Sequence, residues 1–171
     1  MEKNSNADMA SQAPVLTQQE LFDHWLGHRR LTRKVIQAFP EDKLFEYSIG
    51  GMRPFSALAM EMIRLAGTGV NGIVTGEWKK LDELFHDSNP APKTKEELLN
   101  LWDAVTALLN STWPKISADR FKEKIAFFGQ YEGPVYSSVL YLIDNEIHHR
   151  GQGYVYLRSL GIEPPPFYYR D

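Results

Sequence analysis

The chain has 171 residues, 43% of them hydrophobic, which is enough for one domain with a substantial core and too few for two. Its 19 Lys and Arg against 22 Asp and Glu leave a net charge of -3, so no overall attraction draws it to nucleic acid or to an anionic membrane. With 0 cysteines, disulfides, thiolate ligands and thiol nucleophiles are excluded, and any chemistry must rest on oxygen and imidazole groups.

Residues 1–16 are polar and lack the apolar core of a signal peptide, so they are expected to form a flexible leader to a single domain over residues 17–171. No later stretch approaches the roughly 18 apolar residues of a membrane span, and a cytoplasmic location is expected. Thr17 followed by Glu20 has the spacing of a capping box. It opens a first helix predicted over Gln18 to Phe39, with Leu21, Phe22, Trp25, Val35, Ile36 and Phe39 as its apolar residues. Pro40, Glu41 and Asp42 begin a connection that runs through Gly50 and Gly51, and with Pro54 nearby an irregular loop is expected.

A second helix is predicted from Ser56 to Val74, with Leu58, Met62, Leu65 and Val70 at helical spacing. Gly67, Gly69 and Gly72 each cost about 1 kcal/mol relative to alanine, so they either permit close packing or soften the end of the helix. Thr94, Glu96 and Glu97 mark the start of a third helix whose stripe is Leu98, Leu101, Trp102, Val105, Leu108 and Leu109, ending at Trp113 before Pro114. Between Ser117 and Gly133 a short hairpin is expected around Phe127, Phe128 and Gly129. Pro134 stands where a first-turn proline would, opening a last helix that runs to Leu160. These segments predict an all-α four-helix bundle whose long first connection can cross one end.

The last helix carries the most informative string, Asp144 to Gln152. At about 100° per residue, Asn145, His149, Gln152 and Tyr156 fall within about 60° of one another, while His148 points away. A polar stripe facing a bundle interior must find hydrogen bonds or a metal, since an unpaired buried group costs on the order of 1–3 kcal/mol. Taken alone, His149 reads sooner as a hydrogen-bonded core or surface histidine than as a ligand. Asp144 and Glu146 flank the stripe as ordinary helical carboxylates or as bases, and Arg150 reads as the partner of a neighbouring acid or as support for the helix end. On the first helix His24 and His28 form an i,i+4 pair, with His28 on the inward line and a reserve ligand at most.

The run EIHHRGQ followed by YLRSLGIEPP resembles the C-terminal signature of the DinB/YfiT-like family. That resemblance implies a four-helix bundle, often a homodimer, with a divalent metal such as zinc or nickel held by one histidine on the second helix and a His-x-x-x-His pair on the last. It also implies metal-dependent activity of the thiol S-transferase, hydrolase or isomerase kind on a small molecule, with no organic cofactor. Carried onto this chain, the second histidine of the pair is His149 and its partner position is Asn145. The second-helix position, reached through RPFSALAMEM, is Glu61. Two of three imidazoles are thereby replaced, one of them by Asn145, a weak neutral donor, so a weaker metal site or a non-catalytic binding or interaction module is expected.

Overall fold

The structure, a computed structural model, describes residues 15–85 and 91–171. Most of the expected leader, residues 1–14, lies outside the described residues. Helix α1 (Gln18–Ala38) starts where the sequence places it: the Thr17 side chain accepts from the Glu20 backbone N–H, and the Thr17 N–H donates back to the Glu20 carboxylate at 2.8 Å. Helix α5 (Lys95–Thr112) opens with the same reciprocal cap, built from Thr94 and Glu97. Each cap satisfies two otherwise orphaned backbone donors.

The connection after α1 is more ordered than the irregular loop expected. Pro40 caps a short helix α2 (Glu41–Glu46) whose first turn carries Glu41 and Asp42, favourable at the positive end of the helix dipole, and whose Leu44 is fully buried. The left-handed turn at Gly50 and Gly51 (φ 58° and 77°) then leads into α3 (Phe55–Thr75). That helix runs straight through Gly67, Gly69 and Gly72, so close packing is the reading that holds. A Cβ on Gly72 would stand 2.0 Å from the Trp78 ring, and one on Gly69 would stand 3.1 Å from Leu142.

After α4 (Leu81–Phe85) and α5, a short 3-10 turn carries Trp113 into the core. The hairpin forms from β1 (Lys124–Phe127) and β2 (Tyr131–Pro134), antiparallel, with Phe127 opposite Tyr131. Its turn places Phe128 at φ 52°, a conformation uncommon for a bulky residue, and the Phe128 ring packs 5.2 Å from the Trp78 ring. Pro134 then serves as the N-cap of α6 (Val135–Ser159).

The four long helices close a ring in which α1 packs on α5 and α6, and α3 packs on the same two. Helices α1 and α3 therefore face each other across the diagonal, which is why the chain needs the α2 connection to cross an end of the bundle. Trp25, Trp102, Trp113, Phe39 and Phe55 fill the centre, each at most 1% exposed. Burial of each such side chain contributes on the order of 2–3 kcal/mol. Among the described residues no helix is long and apolar enough to cross a membrane.

Candidate polar centre on the last helix

Helix α6 sends polar side chains in two directions. Asn145, His149 and Gln152 turn toward α3, as the stripe predicted. Glu146 and Arg150 turn toward α1, and here the sequence reading needs correction: Glu146 is not an ordinary exposed carboxylate, and Arg150 donates to His28 and Thr32 rather than to an acid. Glu146 is 2% exposed and Arg150 6%.

On the α3 side the residues expected at the site meet. His149 Nε2 lies 2.9 Å from Glu61 Oε1, and the Asn145 amide donates to the same oxygen at 3.3 Å. The other Glu61 oxygen accepts from Arg53 at 2.6 Å. Behind the ring, His149 Nδ1 lies 2.7 Å from Gln152 Oε1. Tyr156, the last member of the stripe, is fully buried and donates to the Arg53 carbonyl at 2.8 Å, so it ties down the loop that delivers Arg53. Burial by itself would raise the Glu61 pKa. Hydrogen bonds from His149, Arg53 and Asn145 outweigh it and hold the carboxyl down at about 2. Arg53 was not singled out from the sequence; its place eight residues before Glu61, in the loop rather than on a helix, gave no periodic signal.

On the α1 side Glu146 accepts from Trp25 Nε1 at 3.1 Å and from Thr32 Oγ1 at 2.8 Å, with the buried Arg29 guanidinium 3.6 Å away. Burial pushes the Glu146 carboxyl up, against the pull of Arg29, Thr32 and Trp25. Arg29 also stacks 4.0 Å over the Trp102 ring. Arg150 donates to His28 Nδ1 at 2.9 Å, while His28 Nε2 faces His24 at 3.1 Å and Arg170 at 3.2 Å. Burial, then the charges of Arg150, Arg170 and His24, drive the His28 pKa down to about 3. His28 is thus inward, as its position on the helix suggested, but it belongs to this second network and not to the Glu61 centre. A signal for the network did exist in the sequence. Trp25, His28, Arg29 and Thr32 share one helical face, and so do Glu146 and Arg150 at i,i+4.

The Glu61 centre does not fit the three-imidazole metal site that the family resemblance implies. It offers one imidazole and one carboxylate, and the carboxylate already faces the positive charge of Arg53. Among the described residues, no group of three His, Cys, Asp or Glu side chains gathers that could hold a metal ion. Asn145 turns its amide nitrogen to Glu61, leaving its buried Oδ1 without a hydrogen-bond partner among the described residues. A neutral amide oxygen is a poor substitute for the missing ligands.

The fold and these polar contacts define a helical bundle with an Arg–Glu–His centre between its second and last long helices. The chain belongs to the DinB family, whose model matches residues 9–171. It is similar in structure to a DinB-like protein from Bacillus cereus ATCC 10987, at 19% identity over 88% of this chain and 97% of that one, with a TM-score of 0.68. It is likewise similar to the DinB-like protein YjoA from Bacillus subtilis, at 18% identity over 89% of this chain and 99% of that one, with a TM-score of 0.70. At these identities the likeness shows the fold. No curated protein matches the chain.

Proposed function

We propose that this chain is a non-catalytic DinB-family bundle that binds a small acidic molecule, with Arg53 in place of a resident metal at the Glu61–His149 centre. The observation that carries this reading is the saturation of Glu61, which takes hydrogen bonds from His149, Asn145 and Arg53 at once. A closed set of this kind positions Arg53 and leaves its flank to line an adjoining cleft of about 280 Å³, together with Phe45, Met60 and Arg64. That cleft continues into a groove of about 1000 Å³, where Lys80 and Lys93 join Arg64. Asp82 and Glu97 also line the groove, so Arg53, Arg64, Lys80 and Lys93 leave a modest positive excess that suits a small ligand with an acidic group.

A second reading, metal-dependent activity of the transferase, hydrolase or isomerase kind, is favoured by one distance. The 2.9 Å between Glu61 Oε1 and His149 Nε2 is also the separation of two neighbouring ligands of an octahedral ion, each roughly 2.0–2.2 Å from it at about 90°. Such an ion would have to displace Arg53. Metal analysis of protein prepared without a histidine tag separates the readings. The first expects well under one metal per chain after exposure to zinc or nickel, together with thermal stabilisation by small carboxylates or phosphates that Arg53→Ala abolishes. One metal per chain, lost in His149→Ala, overturns the first reading in favour of the second.

A further inference from the structure

Helices α1, α2, α4 and α5 each carry an acid in the first turn, where it answers the positive end of the helix dipole. Helix α3 carries none, and its N-cap, Pro54, has no side-chain oxygen to accept from the first N–H groups. At α6, which also lacks such an acid, the first N–H donates instead to the Glu123 carbonyl at 3.0 Å. The positive end of α3 is therefore left for something outside the helix to neutralise.

A second observation at that end points to a ligand. Ser56, in the first turn of α3, is 9% exposed and lines the cleft of about 280 Å³ beside Arg53 and Arg64, yet its hydroxyl has no hydrogen-bond partner among the described residues. A hydroxyl this enclosed costs stability unless it is paired, and a group bound in the cleft would pair it. From there the cleft follows α3 into the groove of about 1000 Å³, whose floor is the half-buried Met60, Leu81, Phe85 and Leu101. The path from Ser56 to Thr68 is about 18 Å long, at about 1.5 Å of helix per residue.

We infer that the ligand is a monocarboxylic acid with an unbranched apolar chain, its carboxylate held at the start of α3 by Ser56 and Arg64 and its chain laid along the groove over Met60, Leu81, Phe85 and Leu101. This rests on the acid-binding reading above and names the class of acid. The Ser56 hydroxyl donates to one carboxylate oxygen, and the Arg64 guanidinium and the helix end stabilise the charge. A single negative charge is the right amount, because Arg53 is already paired with Glu61 at 2.6 Å, and Asp82 and Glu97 offset Lys80 and Lys93 along the groove. The apolar floor then favours a long chain over a short one, since each buried methylene adds to the affinity.

Calorimetric titration of the full-length chain with butanoate, octanoate, octanol and octyl phosphate tests this assignment. Octanoate is expected to bind at least tenfold more tightly than butanoate, which gains no floor contacts, and at least tenfold more tightly than octanol, which has no charge for the head site. Ser56→Ala should weaken octanoate at least threefold and leave octanol unchanged, a difference that a general loss of folding would not produce. Leu101→Asn should weaken octanoate at least fivefold and leave butanoate within about twofold, with circular dichroism confirming helix in both variants. Equal affinity for butanoate and octanoate, both lost in Arg53→Ala, overturns this inference while the acid-binding reading stands. Octanol binding as tightly as octanoate overturns the head site, and octyl phosphate binding more than tenfold more tightly than octanoate overturns the single charge. No binding of any of the three acids overturns both readings.

Discussion

Replacing Glu61 with glutamine preserves the shape of the side chain and removes the charge that organises Arg53, Asn145 and His149. The fall of the Glu61 pKa from its ordinary 4.5 to about 2 sets an upper bound of about 3.4 kcal/mol on the stabilisation, at about 1.36 kcal/mol per pH unit. Glu61 is 31% exposed and its partner Arg53 54% exposed, so solvent screening reduces this to about 1–2 kcal/mol. The proton count gives the sign. Between pH 4.5 and 2 the unfolded carboxyl takes up a proton that the folded one refuses, so the stabilisation is complete above pH 4.5 and fades as pH falls toward 2. Urea denaturation at pH 7, 5, 4 and 3 should therefore show Glu61→Gln less stable by about 1–2 kcal/mol at pH 7, with more than half of the gap closed by pH 3. A gap that stays constant across that range, or a variant as stable as the parent at pH 7, would refute the reading of Glu61 as a charged hub.

The remaining predictions concern the second network and the packing. Because His28 is held neutral, with its pKa driven from 6.5 to about 3, the unfolded state gains a proton there first. Stability should decline as pH falls below 6.5, and His28→Gln should flatten that decline in thermal melts between pH 7 and 4; equal slopes for the two proteins would count against it. Arg29→Met leaves the buried Glu146 without its nearest cation and is expected to cost about 3–5 kcal/mol in chemical denaturation, most of which Arg29→Met with Glu146→Leu recovers. If the double variant is as unstable as the single, the cost lies in lost packing over Trp102 and not in the unpaired charge. Gly153→Ala should cost about 1–3 kcal/mol through collision with Phe55, measurable as a lowered urea midpoint, and no change there would mean that the Phe55 ring moves aside freely.

Much of the fold follows from local rules that act within a helix turn or two. The reciprocal caps at Thr17 and Thr94, the apolar stripes of the four long helices and the short hairpin before α6 all have their causes nearby in the chain, and all appear where the sequence put them. The glycines of α3 were ambiguous for the same reason: their partners, Trp78, Leu142 and Phe127, come from elsewhere in the chain, and only packing decides whether a missing side chain is a weakness or a fit. Helical periodicity also brought Asn145, His149, Gln152 and Tyr156 onto one side of the last helix. It could not say that Arg53 would arrive from a loop to share Glu61, nor that Glu146 and Arg150 would be buried against α1 rather than left in water. Those outcomes depend on which helices become neighbours, and the diagonal placement of α1 and α3 is settled by how whole faces pack. The sequence by itself determined the four long helices and the direction each polar residue takes around its own axis; the tertiary structure alone decided which charges meet, because a pairing energy exists only once two distant segments are brought within a few ångströms.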